Sequence, residues 1–234
     1  WTSRHIQSVA DRILSRQRSK SKVNLAFVEY VTYLKGESMF TEKWYIRAFD
    51  RPGAKGKVTG DVTPSYCTIG TKGIAYVKTF LHNPKIIWFI RNPLERAISQ
   101  LKMNIFRAGV GENPSRKTWL EFMEDPVIRN RGMLSKYIPE WEKAFGPEHI
   151  LYVPYNKIAE SPEAILRRVE GFLQVPGYDS YRHSRTRRHE SRIVDVPPYI
   201  EERLSRIVRK EEIFLENRFG MDFIKSTRAR VFPE

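Results

Sequence analysis

The sequence is short of cysteine, of long apolar runs and of acidic residues. Cys67 is the only cysteine among 234 residues, so no disulfide can form within the chain and a zinc site built on cysteines is excluded. No apolar run approaches the roughly 18 residues that a membrane-spanning helix needs, and no secretory signal follows Trp1. The single cysteine favours a reducing compartment, and we expect a cytoplasmic protein.

The charge is strongly one-sided, with 41 Lys and Arg against 27 Asp and Glu, a net charge of +14. Such a surface favours an anionic partner: nucleic acid, a phosphorylated cofactor, an acidic polysaccharide or a membrane surface. No recognition helix, RNA-binding sheet or zinc finger is evident, which makes nucleic acid the weaker choice. The five histidines show no ligand spacing, so we predict no metal.

Apolar strands alternate with helices along the chain, which predicts a single α/β domain over residues 1–234 with a parallel sheet flanked by helices. The clearest strand is 85–90, a continuous apolar run of the kind buried on both faces of a sheet. A second strand is predicted at 149–153, and a short candidate strand at 57–62. Residues 23–34 are apolar but mix both periods, so helix and strand both stay open there.

Two helix starts carry a cap followed by proline. Asn92 is a good N-cap, Pro93 a good first residue, and the helix should run over 93–106. Ser161 and Pro162 repeat the pattern at the start of a later helix. Further helices are predicted near the N-terminus, over 72–82, near 117–124 and 133–145, and from Pro198 to Gly220.

The segment from strand 85–90 into helix 93–106 has the outline of an anion site. The strand places Arg91 at the carboxyl edge of the sheet, where open α/β sheets bind ligands. The helix start adds unpaired backbone N–H groups and the positive end of its dipole. Arg96 and Ser99 lie nearby, so a phosphate could be held by charge-assisted hydrogen bonds. The alternative is an ordinary helix start with salt bridges to its neighbours.

The same residues resemble a known family. Ile90-Arg-Asn-Pro-Leu-Glu-Arg-Ala-Ile-Ser99 is similar to the 3′-phosphate-binding segment of the sulfotransferases that use 3′-phosphoadenosine 5′-phosphosulfate (PAPS), whose sheet is P-loop-like. Gly60-Asp-Val-Thr-Pro-Ser-Tyr66 resembles that family's Gly-Glu-x-Thr-Pro-x-Tyr segment. Ser135-Lys-Tyr137, Ile150-Leu-Tyr-Val-Pro-Tyr155 and Leu215-Glu-Asn-Arg-Phe-Gly-Met-Asp222 follow in family order.

The resemblance implies transfer of a sulfuryl group from PAPS to a hydroxyl or amine of an acceptor, possible acceptors being a glycan or another acidic molecule. It implies that Arg91 and Ser99 bind the 3′-phosphate and that Tyr137 lies near the adenosine. The basic segment 182–192 corresponds to a loop that closes over the cofactor, and its phosphate contacts would be Arg185, Arg187 and Arg188. The alternative for that segment is a solvated basic surface.

The acceptor also needs a general base. Lys35-Gly-Glu-Ser-Met-Phe40 is the nearest match to the family segment that carries a glutamate, so Glu37 is the leading candidate and Asp61 the second. An exposed loop carboxylate is the alternative for Glu37.

One family feature is absent: no Lys-x-Gly-Thr-Thr-like phosphate loop precedes residue 35. We expect that the domain lacks its first strand and this loop because the sequence begins after them. The alternatives are a sulfotransferase-like pseudoenzyme, a P-loop kinase relative, and a nucleic-acid- or polyanion-binding protein without catalysis.

Overall fold

The computed structural model describes residues 3–36, 39–111, 113–186 and 194–228. Within them the chain forms two compact units, Trp1–Thr63 and Pro64–Glu234. The first unit contains three helices: α1 (Ser3–Arg18), α2 (Leu25–Lys35) and α3 (Glu42–Phe49). Residues 23–34, left open between helix and strand, are therefore mostly helical.

Buried contacts hold the first unit together. Ala10 of α1 and Tyr30 and Val31 of α2 form its small core. The Tyr30 hydroxyl donates to Ala48 O at 2.6 Å and so ties α2 to α3. The predicted strand at 57–62 is wrong: these residues adopt no regular structure, and Val58 and Val62 are 59% and 93% exposed. A strand needs a paired neighbour and a buried face, and this segment has neither among the described residues.

The second unit belongs to the α/β class, and most of its helices lie around two strands. Its strands are β1 (Ile86–Ile90) and β2 (Ile150–Pro154). Its helices are α4 (Gly70–Phe80), α5 (Pro93–Arg107), α6 (Arg116–Met123), α7 (Pro126–Asn130), α8 (Leu134–Phe145), α9 (Lys157–Glu160), α10 (Pro162–Leu173), α11 (Pro198–Phe219) and α12 (Met221–Thr227). The predicted α/β class and parallel sheet are confirmed.

The two strands pair in parallel, with Ile86 opposite Ile150 and Ile90 opposite Pro154. Helices α8, α11 and α12 bury Ile90 in one core cluster, and α4 and α8 contribute to a second cluster at the other end of the strands. The prediction that β1 is buried on both faces is wrong at Phe89, which is 47% exposed. Alternate residues of a strand point to opposite faces, and Phe89 lies on the face opposite Ile90.

Helix α5 connects the end of β1 to the core. Its inward residues Ala97, Leu101 and Ile105 are fully buried among α6 and α11. The predicted cap is present, because Asn92 Oδ1 accepts from Glu95 N at 3.1 Å. The equivalent expectation at Ser161 is wrong, since its side chain makes no capping hydrogen bond to α10.

The difference between these two caps predicts a difference in stability. Asn92→Ala should lower the free energy of unfolding by about 1 kcal/mol, because the amide of Glu95 loses its acceptor. Ser161→Ala is the matched control and should change it by only about a few tenths of a kcal/mol. Urea unfolding followed by circular dichroism measures both, and equal losses would contradict the assignment.

Candidate active site

Arg91 is the first residue after β1, and two neighbours orient its side chain. Its Nε lies 3.5 Å from Glu95 Oε2, one turn into α5. Its Cζ lies 5.1 Å from the centre of the Tyr155 ring, and Tyr155 is the first residue after β2. The ends of both strands therefore fix the guanidinium at the carboxyl edge of the sheet, as the sequence predicted for Arg91.

Two donors at this corner suit a phosphate. Arg91 Nε is buried and makes no hydrogen bond among the described residues, because its approach to Glu95 is too long. Ser99 is half-buried, and its hydroxyl also makes no hydrogen bond to a described residue. Ser99 lies four positions after Glu95, so Ser99 and Glu95 are on the same face of α5. Buried donors normally have partners, so Arg91 Nε fits an anionic ligand, and the Ser99 hydroxyl offers a second donor on α5.

The backbone amides of the corner are largely occupied, contrary to the sequence prediction. Asn92 N donates to Thr227 O of α12 at 3.0 Å, Glu95 N donates to the Asn92 side chain, and Pro93 has no N–H. The end of α12 thus covers part of the sheet edge. A phosphate here would be held mainly by side chains.

Arg96 is turned into the protein. Its Nη2 donates to Ile128 O, at the α7–α8 side of the unit, and its buried Nε makes no hydrogen bond to any described residue. The guanidinium packs closely against the backbone of Gly132, where a Cβ would lie 2.9 Å from Arg96 Nη2. Burial foremost, with a contribution from the neighbouring charges of Arg131 and Arg91, lowers the pKa of Arg96 to about 10.

Arg131 is a site residue that the sequence analysis missed. Its Nη2 donates to Ser65 Oγ at 2.9 Å, and its Nη1 donates to Gln100 Oε1 at 3.3 Å. Burial raises the pKa of the nearby Cys67 thiol, while Arg131 and Arg96 lower it. We call Arg91, Arg96 and Arg131 the arginine cluster.

Tyr155 was missed as well, although its place directly after a strand was a signal for it. The carboxyl edge of a parallel sheet is where ligands bind, and the rule that selected Arg91 after β1 applies equally to Tyr155 after β2. Arg131 had no comparable signal, because it lies in a turn that only tertiary contacts bring to α5.

The other predicted site residues that the structure describes are Tyr137, Arg185 and Asp61, and their surroundings differ. Tyr137 is 5% exposed and packs in the core beside Ile74, and burial raises the pKa of its hydroxyl, with a further increase from Cys67. Arg185 is exposed at a turn. Asp61, in the first unit, accepts from Tyr45 Oη at 3.4 Å and Thr63 Oγ1 at 3.0 Å.

Three predicted site residues, Glu37, Arg187 and Arg188, lie outside the described residues. None of the roles predicted for these residues, or for Tyr137, Arg185 and Asp61, is tested by the geometry. They stay predictions.

The turn that carries Arg185 is anchored to α10. Glu170 accepts from Tyr178 N at 2.6 Å, from the Tyr181 hydroxyl and from Arg167 Nη1 at 3.0 Å. These hydrogen bonds, that of Tyr181 foremost, lower the pKa of Glu170, so the carboxyl is an anion at neutral pH. The start of the basic segment 182–192 is thereby fixed to the helix.

Within the described ranges, no group of three or more His, Cys, Asp or Glu side chains is arranged to hold a metal ion. No described helix is both long and apolar enough to cross a membrane.

Comparison with known proteins identifies the family to which the chain belongs. The sequence model of the sulfotransferase family matches residues 6–180, and these make up more than half of the chain. The chain belongs to the sulfotransferase family, and the predicted resemblance is confirmed.

The sequence identity to individual relatives is low. The chain is 26% identical over 154 residues to mouse heparan sulfate glucosamine 3-O-sulfotransferase 3B1, which covers 60% of this chain and 37% of that protein. Human heparan sulfate glucosamine 3-O-sulfotransferase 6 is 24% identical over 153 residues, covering 60% and 42%. The chain thus spans well under half the length of these relatives. A crystal structure of a sulfotransferase from Alicyclobacillus acidocaldarius has a similar fold, with a TM-score of 0.59, 19% identity and coverage of 81% and 75%.

The surroundings of Cys67 predict how its reactivity depends on pH. Because burial raises the pKa of the thiol, alkylation by iodoacetamide should reach half its maximal rate at a higher pH than for a cysteine peptide. Arg131→Gln removes a cation that stabilises the thiolate and should raise the midpoint further. The linked contribution to stability is complete below the pKa of the unfolded thiol and is lost as pH rises through the folded pKa.

Arg129→Gln is the control for this measurement, because Arg129 pairs with Glu124 at 2.8 Å on the surface. It should leave the midpoint unchanged. A midpoint at or below that of the peptide would contradict the described burial of Cys67.

Proposed function

We propose that this protein transfers a sulfuryl group from PAPS to a hydroxyl or amine of an acceptor. The observation that carries the proposal is a pair of donors at the corner between β1 and α5, Arg91 Nε and the Ser99 hydroxyl, which make no hydrogen bond to a described residue. Membership of the sulfotransferase family supplies the reaction class. The two donors are chemically suited to the 3′-phosphate of the nucleotide.

In this proposal Arg91 and Ser99 bind the 3′-phosphate of the donor. The Tyr155 ring stacks near the Arg91 guanidinium and limits its rotamers, so less conformational entropy is lost when the phosphate binds. Glu95 lies 3.5 Å from Arg91 Nε, and this ion pair orients the guanidinium. Tyr137, Arg185, Arg187 and Arg188 are proposed as further contacts to the nucleotide.

The transfer step balances as a displacement at sulfur. The acceptor oxygen or nitrogen forms a bond to the sulfuryl sulfur, and the bond from sulfur to the 5′-phosphate oxygen breaks. Adenosine 3′,5′-bisphosphate leaves with the bonding electrons, and the acceptor proton passes to a general base, for which Glu37 and Asp61 are the candidates. In-line geometry and positive charge around the transferred group would lower the barrier, as they do in phosphoryl transfer.

We propose an acidic glycan as the class of acceptor. The net charge of +14 favours a polyanion, and the relatives with curated names are heparan sulfate glucosamine 3-O-sulfotransferases. A polyanion would also be drawn to the basic surface before it reached the reacting centre, which raises the association rate at low salt.

The direct test of the nucleotide site is Arg91→Ala. Loss of a charge-assisted contact to phosphate should weaken binding of adenosine 3′,5′-bisphosphate by about 10- to 100-fold, measured by calorimetry. Arg107→Ala, at the exposed far end of the same helix, is the matched control and should bind the nucleotide as the wild type does. Unchanged affinity in Arg91→Ala would refute the assignment.

Isosteric neutral variants of Glu37 and Asp61 test which residue is the general base. Glu37→Gln should lower the rate of transfer of labelled sulfuryl to a glycan acceptor by about 100-fold or more while nucleotide affinity is retained, because a general base acts only on the acceptor proton. Asp61→Asn should retain most of the rate. The opposite pattern would move the role to Asp61, and full activity of both variants would exclude both residues.

A further inference from the structure

The arginine cluster carries more positive charge than its surroundings neutralise. Among the described residues, Glu95 is the one carboxylate within 4.0 Å of a cluster guanidinium, and it pairs with Arg91. Arg96 is bonded to a backbone carbonyl. Arg131 is bonded to Ser65 and Gln100, both neutral.

The three guanidiniums are close enough to act on one another. Both Arg131 and Arg91 disfavour the charged form of Arg96, which is already partly desolvated. The geometry of α5 agrees, because Gln100 follows Arg96 by one helical turn on the same face and accepts a hydrogen bond from Arg131. Cations brought together without counter-charges cost free energy that a bound anion would recover.

The cluster is also open on one side. Ser65 is exposed and Arg131 is half-buried, so the donor pair that they form can be reached from solvent. Arg131 Nη2 and Ser65 Oγ lie 2.9 Å apart, a spacing at which two donors can serve one oxyanion once the hydroxyl rotates.

We propose that Arg131, Ser65 and Arg96 form an oxyanion subsite beside the Arg91–Ser99 phosphate site. It would take a sulfate, phosphate or carboxylate group, supplied either by the second phosphate of the donor nucleotide or by an acidic group of the acceptor. The inference rests on the proposed function. It adds a second anion position and names Arg131 as a determinant of affinity for that group.

A purely structural role for Arg131 makes a different prediction. If Arg131 only bridges the 64–68 segment to α5 through Ser65 and Gln100, its replacement would change stability but not the salt dependence of ligand binding. A subsite requires both a loss of affinity and a smaller salt slope, because one cation fewer is neutralised.

The test compares Arg131→Gln, Arg131→Lys and the control Arg129→Gln in the full chain. Calorimetry at several sodium chloride concentrations would use two probes, adenosine 3′,5′-bisphosphate and a heparin octasaccharide. We expect Arg131→Gln to weaken one of them by about tenfold or more with a smaller salt slope, Arg131→Lys to keep most of the affinity, and Arg129→Gln to change it less than about twofold.

The probe that responds identifies the source of the anion. A loss with the bisphosphate assigns the subsite to the donor, and a loss with the octasaccharide assigns it to the acceptor. Wild-type affinity of Arg131→Gln for both probes would overturn the inference. The proposed function fails separately, through unchanged nucleotide binding in Arg91→Ala.

If Arg131→Gln does not fold, a second measurement on the wild-type protein tests the subsite. Arg131 and Arg96 lower the pKa of the Cys67 thiol, so an anion bound to them should raise that pKa and shield the thiol. Iodoacetamide, which is uncharged, should then alkylate Cys67 of the wild-type protein several-fold more slowly when one of the two probes is saturating. Equal rates with and without both probes would contradict the subsite.

Discussion

The parallel register between β1 and β2 decides where Arg91 lies. Ile90 pairs with Pro154, and Tyr155 N continues the ladder by donating to Ile90 O at 2.8 Å. The next residue of each chain segment therefore leaves the sheet at the same edge, where the guanidinium of Arg91 meets the ring of Tyr155. A slip of one residue would send these side chains to opposite faces. The position of both side chains at this corner depends on the register.

The electrostatic balance of the second unit then gives the corner its chemical character. Within the described part of the chain, Arg91 and Arg96 each keep a buried Nε without a hydrogen bond, while Thr227 O occupies the backbone amide of Asn92. The same helix, α5, buries Leu101 in the core, so the cationic face cannot move without disturbing packing. Preorganised donors of this kind lose little freedom when a ligand binds.

Features fixed by local chemistry could be predicted from the sequence, and features fixed by distant partners could not. The apolar run of β1 and the Asn92 cap of α5 depend on adjacent residues, and both are present. The candidate strand at 57–62 required a partner that the sequence does not reveal. Ser161 resembles Asn92 in sequence, but its backbone, with φ −146° and ψ 63°, does not aim the side chain at the helix start. Arg131 reaches Gln100 across 31 positions, which no local pattern signals.

The central claim is that the corner between β1 and α5 recognises a 3′-phosphate. The most direct measurement compares the affinity of the wild-type chain for adenosine 3′,5′-bisphosphate with its affinity for adenosine 5′-phosphate, which lacks only that group. Two charge-assisted donors predict a preference of about 100-fold or more for the bisphosphate. Equal affinity for the two nucleotides would contradict the account.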